Sequence, residues 1–214
     1  MKKALGIIIS VLLFDQGLKF WIKTHLFLQE SITVFPQWFY LHFVENNGMA
    51  YGLEFGGEIG KILLSSLRII AIGGIAYYLY TIVRDKKHPL LIISISLILA
   101  GAAGNAIDSL FYGLVFSESN YFEMAQFLPA GGGYESFLHG KVVDMFYFPI
   151  FSGDWPNWVP FVGGTRFEFF SFVFNVADAS ITIGIIVLIV FQKRFFGANA
   201  KHWSEDIENE EEVH

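Results

Sequence analysis

The stretch ILLSSLRIIAIGGIAYYLYTIV, residues 62–83, decides the class of this chain. It holds a single charge, Arg68, and no proline. An α-helix rises about 1.5 Å per residue, so roughly 20 apolar residues in a row cross a hydrocarbon layer about 30 Å thick. Three more runs have the same character, at residues 4–22, 90–110 and 169–191, each rich in Leu, Ile, Val, Phe and Ala. The whole chain agrees with these segments. Of its 214 residues 54% are hydrophobic and 16% charged, with a mean hydropathy of +0.50, which does not describe a water-soluble globule. The expected architecture is a mainly α membrane protein with four transmembrane helices in one domain over residues 1–203.

Basic residues set the direction of threading, because lysine and arginine in short loops stay on the cytoplasmic side. Lys2 and Lys3 precede the first run, Arg84, Lys86 and Lys87 fill the turn between the second and third, and Lys193, Arg194 and Lys201 follow the fourth. Both termini are therefore expected in the cytoplasm, with residues 23–61 and 111–168 forming loops on the opposite side. Of 20 acidic residues six lie in the last ten positions, so residues 204–214 read as a solvated acidic tail. No basic stripe remains, and nucleic acid is not an expected partner. The absence of cysteine removes disulfides, thiolate metal sites and a cysteine nucleophile. Met1–Phe14 has the basic and apolar parts of a secretory signal, yet no A-x-A site follows and Asp15, Lys19 and Lys23 come next; it reads as a retained span.

In the first loop, Ile32–Val44 is β-branched and aromatic, so strand is expected there, with Pro36 confining one end to an edge. The second loop is long, aromatic and glycine-rich, with turns at Gly131–Gly133 and Trp155–Pro160.

An ionisable group inside a span costs about 2.5–3.5 kcal/mol on insertion scales, so each needs a partner or a task. Asp15 and Lys19, four apart, share one face of the first span, either as an ion pair or with Lys19 reaching back to water. In the third, Gly101, Gly104, Asn105 and Asp108 form a stripe, whose glycines read as a helix-packing surface. The fourth contains Asn175 and Asp178 on one face. Shortly before it, Asp144 sits among Val142, Val143, Met145 and Phe146.

Two carboxyls brought together in an apolar setting cannot both ionise easily, so they share a proton. Asp144 and Asp178, if they meet, have the electrostatics of an aspartic peptidase. The ionised acid takes a proton from the attacking water while the protonated one donates to the scissile carbonyl. Rival signatures are missing. The histidines show no H-E-x-x-H pair, and neither a G-x-S-x-G elbow nor a P-loop lysine occurs. A Ser–Lys dyad stays open on spacing alone, although it leaves the acids of the last two spans unexplained. No metal or cofactor is expected.

Five tracts now resemble bacterial lipoprotein signal peptidase, also called signal peptidase II. They are Asp15-Gln16-x-x-Lys19, Asn46-Asn47-Gly48-Met49-Ala50-Tyr51, Gly104-Asn105-Ala106-Ile107-Asp108, Gly140-x-Val142-Val143-Asp144 and Phe174-Asn175-x-Ala177-Asp178. Each is short, but all five occur in that family's order on four spans. The resemblance implies an aspartic endopeptidase of the bacterial inner membrane that removes signal peptides from diacylglyceryl-modified prolipoproteins by cutting before the lipidated cysteine. By matching, Asp144 and Asp178 are its catalytic pair, Asn46, Gly48, Asn105, Asp108 and Asn175 hold the substrate or the pair, and Asp15 and Lys19 support them. It also implies a small extracytoplasmic β-cradle and an interfacial helix, fitting Ile32–Phe55, with membrane lipids as neighbours, a monomeric state and an active site facing the periplasm or exterior.

Two features depart from the pattern. Family members commonly carry arginine directly after the third-span acid, whereas this chain has Ser109, so that charge is absent or comes from elsewhere, with Lys141 and Arg166 as candidates. The outer loops are also longer, by Val115–Leu138 and part of Phe151–Glu168. The alternative function is a proton- or cation-coupled transporter, which predicts acids distributed through the membrane depth. A membrane scaffold is a further alternative, and it tolerates Asp→Asn changes.

Overall fold

A computed structural model describes residues 1–47 and 57–196, of which 57–59, 61 and 62 by backbone alone. Gly48 and the rest of the 48–56 stretch, Lys201 and the acidic tail at 204–214 lie outside the described residues.

The first three apolar runs become helices α1 (Lys2–His25), α2 (Gly57–Arg84) and α3 (Pro89–Ile107). Pro89 suits the first turn of α3, where its missing N–H is no loss, and His88 caps that turn by accepting the Leu90 N–H at 3.2 Å. Helix α3 runs on through a π-helical turn, Asp108–Tyr112, into the short α4 (Gly113–Val115). Lys2–His25, Leu63–Arg84 and Pro89–Val115 are long and apolar enough to cross a membrane.

The fourth run does not begin where its hydropathy does. Helix α5 covers Val176–Val190, 15 residues or about 22 Å, and the short α6 (Gln192–Phe196) follows after Phe191. The aromatic start expected to be helical, from Phe169, is instead strand: Phe169 ends β5 (Arg166–Phe169), and Val173–Phe174 is β6. Aromatic residues fit the pleat, and Asn175 fixes the helix start with a capping box. Its Oδ1 accepts the Asp178 N–H at 2.9 Å, while Asp178 Oδ2 accepts the Asn175 N–H at 3.2 Å.

Helix α3 is the hub, packing against α1, α2 and α5. Its approach to α5 is close because side chains are missing. A Cβ on Gly101 would lie 2.2 Å from the Ala177 carbonyl oxygen, and one on Gly184 would lie 2.7 Å from that of Ser94. Apolar side chains such as Ile9, Leu13, Ile70 and Ile186 point outward along the helices, as lipid contact requires.

A four-stranded antiparallel sheet, ordered β1-β2-β3-β6, joins β1 (Ser31–Phe35), β2 (Phe39–Asn46), β3 (Val142–Tyr147) and β6. The strand expected over 32–44 is found, divided into a hairpin that turns at Pro36-Gln37-Trp38 with Gln37 at φ 77°. Residues 32–47 hold no interfacial helix; the remainder of its expected span lies outside the described residues. β4 (Phe151–Asp154) pairs with β5 as a separate hairpin whose connecting segment exposes Trp158 and Phe161.

The longer second loop divides in two. The β4–β5 hairpin is a sheet of its own, tied to the main one by the Tyr147 hydroxyl, which donates to Glu168, whereas the preceding segment is part of the core. Phe116 and Ala125 are buried with Ile22, Leu26, Phe43 and Met145 between α1 and the sheet. A polar clamp ties that segment down: Lys23 pairs with Glu45 of β2, and its Nζ donates to Ser119 Oγ at 2.7 Å. Ser119 meets a lysine, as the Ser–Lys alternative asks, yet its hydroxyl donates to Glu45 at 2.9 Å and is almost wholly enclosed.

Candidate active site

The site forms where five elements meet: the α1 segment around Asp15–Lys19, the end of β2, the end of α3, the start of β3 and the first turn of α5. Each acid arrives for a local reason. Asp144 stands on β3 opposite Val44, with the strand held to β2 by its ladder. Gly140 lets that strand begin against α3, because a Cβ there would come within 2.0 Å of the Asp108 carbonyl oxygen. Asp178 is the third residue of α5, fixed by the capping box.

Asn175 connects the two acids. Its Nδ2 donates to Asp144 Oδ1 at 2.7 Å and to Asn105 Oδ1 at 3.0 Å. Asn105 Nδ2 in turn donates to Asp178 Oδ1 at 2.7 Å. Asn46, at the end of β2, donates to the other oxygen of Asp144. Asp144 and Asp178 are therefore held by one bridging amide network, each with a hydrogen-bonded oxygen. Asp144 is 4% exposed. Burial first, and the neighbouring Asp178 second, push its carboxyl up from the usual range to about 7.

Beneath this pair lies a second polar layer. Lys19, 0% exposed, pairs with Asp15 at 2.9 Å and Asp108 at 2.8 Å, and donates to Asn105 Oδ1 at 2.8 Å. Of the two sequence readings for Lys19, the ion pair is the one found, and no part of the side chain reaches water. Asp15 Oδ1 accepts the Ala177 N–H at 2.9 Å, satisfying a free amide in the first turn of α5. Asp108 accepts from Gln16 at 2.9 Å and from the Val143 N–H at 3.3 Å, which fixes β3 one residue before Asp144. Gly104 leaves the room this needs: a Cβ there would lie 2.7 Å from Asp15 Oδ2.

Of the site residues read from sequence, Asp15, Lys19, Asn46, Asn105, Asp108, Asp144, Asn175 and Asp178 fall into one connected network, while Gly48 lies outside the described residues. Neither cation suggested in place of the family arginine is beside Asp108. Lys141 lies 3.8 Å from Glu45 and 3.7 Å from Glu118, and Arg166 donates to Ser152 on the separate hairpin. The cation next to Ser109 is Arg68 of α2, whose Nη1 donates to Ser109 Oγ at 2.8 Å.

Two residues visible in the sequence, Gln16 within the first tract and Arg68 as the lone charge of the second run, were given no role there. Gln16 donates to Asp15, Asp108 and the Gly104 carbonyl, and accepts from Tyr112 at 3.2 Å. Nothing in its local spacing marks a glutamine for that task. Arg68 did carry a signal, as the lone charge inside an apolar run, a position that calls for a partner or a task.

Long apolar helices and a small sheet, with buried carboxyls and amides gathered where they join, define a helical membrane protein with a polar site of the kind that enzymes use. A solved bacterial membrane enzyme shares the fold, with a TM-score of 0.58 at 26% identity, covering 89% of this chain and 92% of that one. Residues 7–194 match the family described as Signal peptidase (SPase) II, and the chain belongs to that family. It is 50% identical over 194 residues to a lipoprotein signal peptidase of Porphyromonas gingivalis, covering 90% of this chain and 84% of the relative. A lipoprotein signal peptidase of Amoebophilus asiaticus is 36% identical over 195 residues, covering 90% and 78%. This is accordingly a membrane peptidase of the lipoprotein-processing family.

Proposed function

We propose that this chain is an aspartic endopeptidase that removes signal peptides from diacylglyceryl-modified prolipoproteins, cutting before the lipidated cysteine, with Asp144 and Asp178 as its catalytic acids. The observation that carries the reading is the attachment of both carboxyls to the Asn175–Asn105 amide pair, with Asp144 buried and its carboxyl pushed to about 7. Near neutral pH such a pair keeps one proton. The ionised member draws a proton from water as the oxygen attacks the scissile carbonyl, and the protonated member donates to the carbonyl oxygen. The tetrahedral intermediate collapses when a proton passes to the leaving amine, returning the pair to one shared proton.

Asn46, Asn105 and Asn175 keep the oxygens aimed, and Asp15, Lys19 and Asp108 hold the helices and β3 in register beneath them. The N-x-G-x-A segment with Gly48 supplies substrate contacts by family likeness. Threading follows the basic residues, with both termini in the cytoplasm, the sheet as an extracytoplasmic cradle, and the site opening to the periplasm or exterior of a bacterial inner membrane. There a lipid-modified cysteine stays at the headgroups while its signal helix remains in the bilayer. The protein works as a monomer among membrane lipids, without a cofactor. Acids joined in one network favour this reading over a transporter, whose path needs them spread through the membrane depth.

The test is incubation of the purified protein, in lipid vesicles, with a diacylglyceryl-modified prolipoprotein. Wild type should release the signal peptide, and Asp144→Asn and Asp178→Asn should each lose about 10²–10⁴-fold in rate or more while remaining folded. Near-normal cleavage by either variant refutes the pair. A proton or cation flux across the vesicles that these variants abolish, without proteolysis by wild type, would establish the transporter.

A further inference from the structure

Arg68 is the only charged residue between Lys61 and Arg84 on α2, and an arginine at such a depth is costly unless it is paired or employed. It reaches out of its own helix to the end of α3. Its Nη1 donates to Ser109 Oγ at 2.8 Å, and that hydroxyl donates to the Asn105 carbonyl oxygen at 3.1 Å. Ser109 is 3% exposed and lies in the π-helical turn between Asp108 and the chain that backs Gly140. A π-helical turn is an uncommon device, frequent at functional sites, and Ser109 lies within it. The guanidinium lies within electrostatic reach of both Asp108 and Asp178.

Charge balance gives that position a purpose. Asp15 and Lys19 come from α1, Asp108 from the end of α3, Asp144 from β3 and Asp178 from α5. Lys23, one turn beyond Lys19, is already paired with Glu45. Lys19 offsets only one of its two carboxylate partners. With one proton on the Asp144–Asp178 pair, the cluster carries more negative than positive charge even with Arg68 in place, and in a medium of low dielectric each uncompensated charge is felt strongly.

We infer that Arg68 is a positioning residue of the acid site: its guanidinium, delivered from α2 and fixed by Ser109, supplies the positive charge that lets the Asp144–Asp178 pair hold a single proton at working pH. The inference rests on the acid-pair reading above. In this chain that arginine is not adjacent in sequence to Asp108; helix packing brings it to Ser109, the residue after Asp108.

The experiment is the pH profile of kcat/KM for a diacylglyceryl-modified prolipoprotein, measured on the full chain in vesicles for wild type, Arg68→Gln, Arg68→Lys and Ser109→Ala. A nearby cation favours the ionised carboxyl, so its removal makes both members of the pair harder to ionise. Arg68→Gln should therefore move both limbs of the bell to higher pH by about one unit. Arg68→Lys should restore most of that displacement. Ser109→Ala keeps the charge but frees it, so its limbs should move the same way by less. A fall in rate by the same factor at every pH, or limbs that stay in place, would show Arg68 to be a packing residue and overturn the inference. If Arg68→Gln does not fold, unmoved limbs in Ser109→Ala overturn it equally. Wild type without cleavage, or an active Asp144→Asn, would instead defeat the acid-pair reading, so the two failures are distinguishable.

Discussion

Lys19 shows how a membrane chain tolerates ions: one ammonium, enclosed on every side, serves Asp15, Asp108 and Asn105 at once. Removing one partner of a buried ion set leaves uncompensated charge, which costs about 3–5 kcal/mol. Lys19→Met should accordingly lower stability by that order in thermal unfolding, and adding Asp108→Asn should return part of the loss. A single variant as stable as wild type would mean that the acids do not depend on it. Asp144 makes the opposite case. Its carboxyl, pushed up to about 7 by burial and by Asp178, binds a proton in the fold that the unfolded chain releases near pH 4. The stability from that proton is present in full below pH 4 and is lost as pH rises through 7. Asp144→Asn cannot lose it, so the variant should gain on wild type between pH 4 and 7 and hold a lead on the order of a few kcal/mol above that. Thermal unfolding at pH 5 and pH 8 reads this directly, and a constant difference between the two proteins would contradict it.

At the scale of elements, the contact between α3 and α5 decides whether the acids meet their amides. Gly101→Ala would drive a methyl group into the Ala177 carbonyl, a backbone atom that cannot rotate away. Overpacking of this kind costs about 1–3 kcal/mol, and here it also pushes Asp178 from Asn105, so cleavage should fall more than stability does. Gly73 of α2 has open space around it, and Gly73→Ala should leave stability unchanged or slightly improved. Equal melting temperatures for the two variants would show that the glycine contact is slack. Three apolar runs are legible as helices from hydropathy, whereas the fourth helix starts later than hydropathy predicts. Hydropathy counts Phe169, Phe170, Phe172 and Phe174 like leucines, but it cannot register that Phe174 pairs with Phe146 across the sheet. Only the Asn175–Asp178 cap, two polar residues three positions apart, marks the true start of α5.

For the molecule as a whole, orientation follows from where lysine and arginine sit in the short loops, and this chain offers a clean test because it has no cysteine. Lys86, in the turn between α2 and α3, and Tyr121, in the core-packed segment of the second loop, are both exposed. A membrane-impermeant maleimide added to intact spheroplasts should label Tyr121→Cys and spare Lys86→Cys. The reverse pattern would invert the proposed topology and put the acid site in the cytoplasm. The second loop also shows a limit of reading by length alone. Its two longer parts look alike in composition, yet one buries Phe116 and Ala125 beneath the sheet and the other projects as the β4–β5 hairpin.

What the sequence determined by itself was the solvent and the cast: apolar runs long enough for a bilayer, and acids and asparagines at helical spacings within short motifs. Those are local properties, set by composition and by repeats of three and four residues. The tertiary structure decided which groups touch. Asp144 and Asp178 are 34 positions apart and meet through an asparagine that caps one helix and an asparagine in the last turn of another. The charge beside Ser109 comes from a different helix 41 positions earlier. Spacing along a chain cannot encode such pairings, because they depend on how closely glycine lets two helices approach and on the high cost of leaving a buried charge alone.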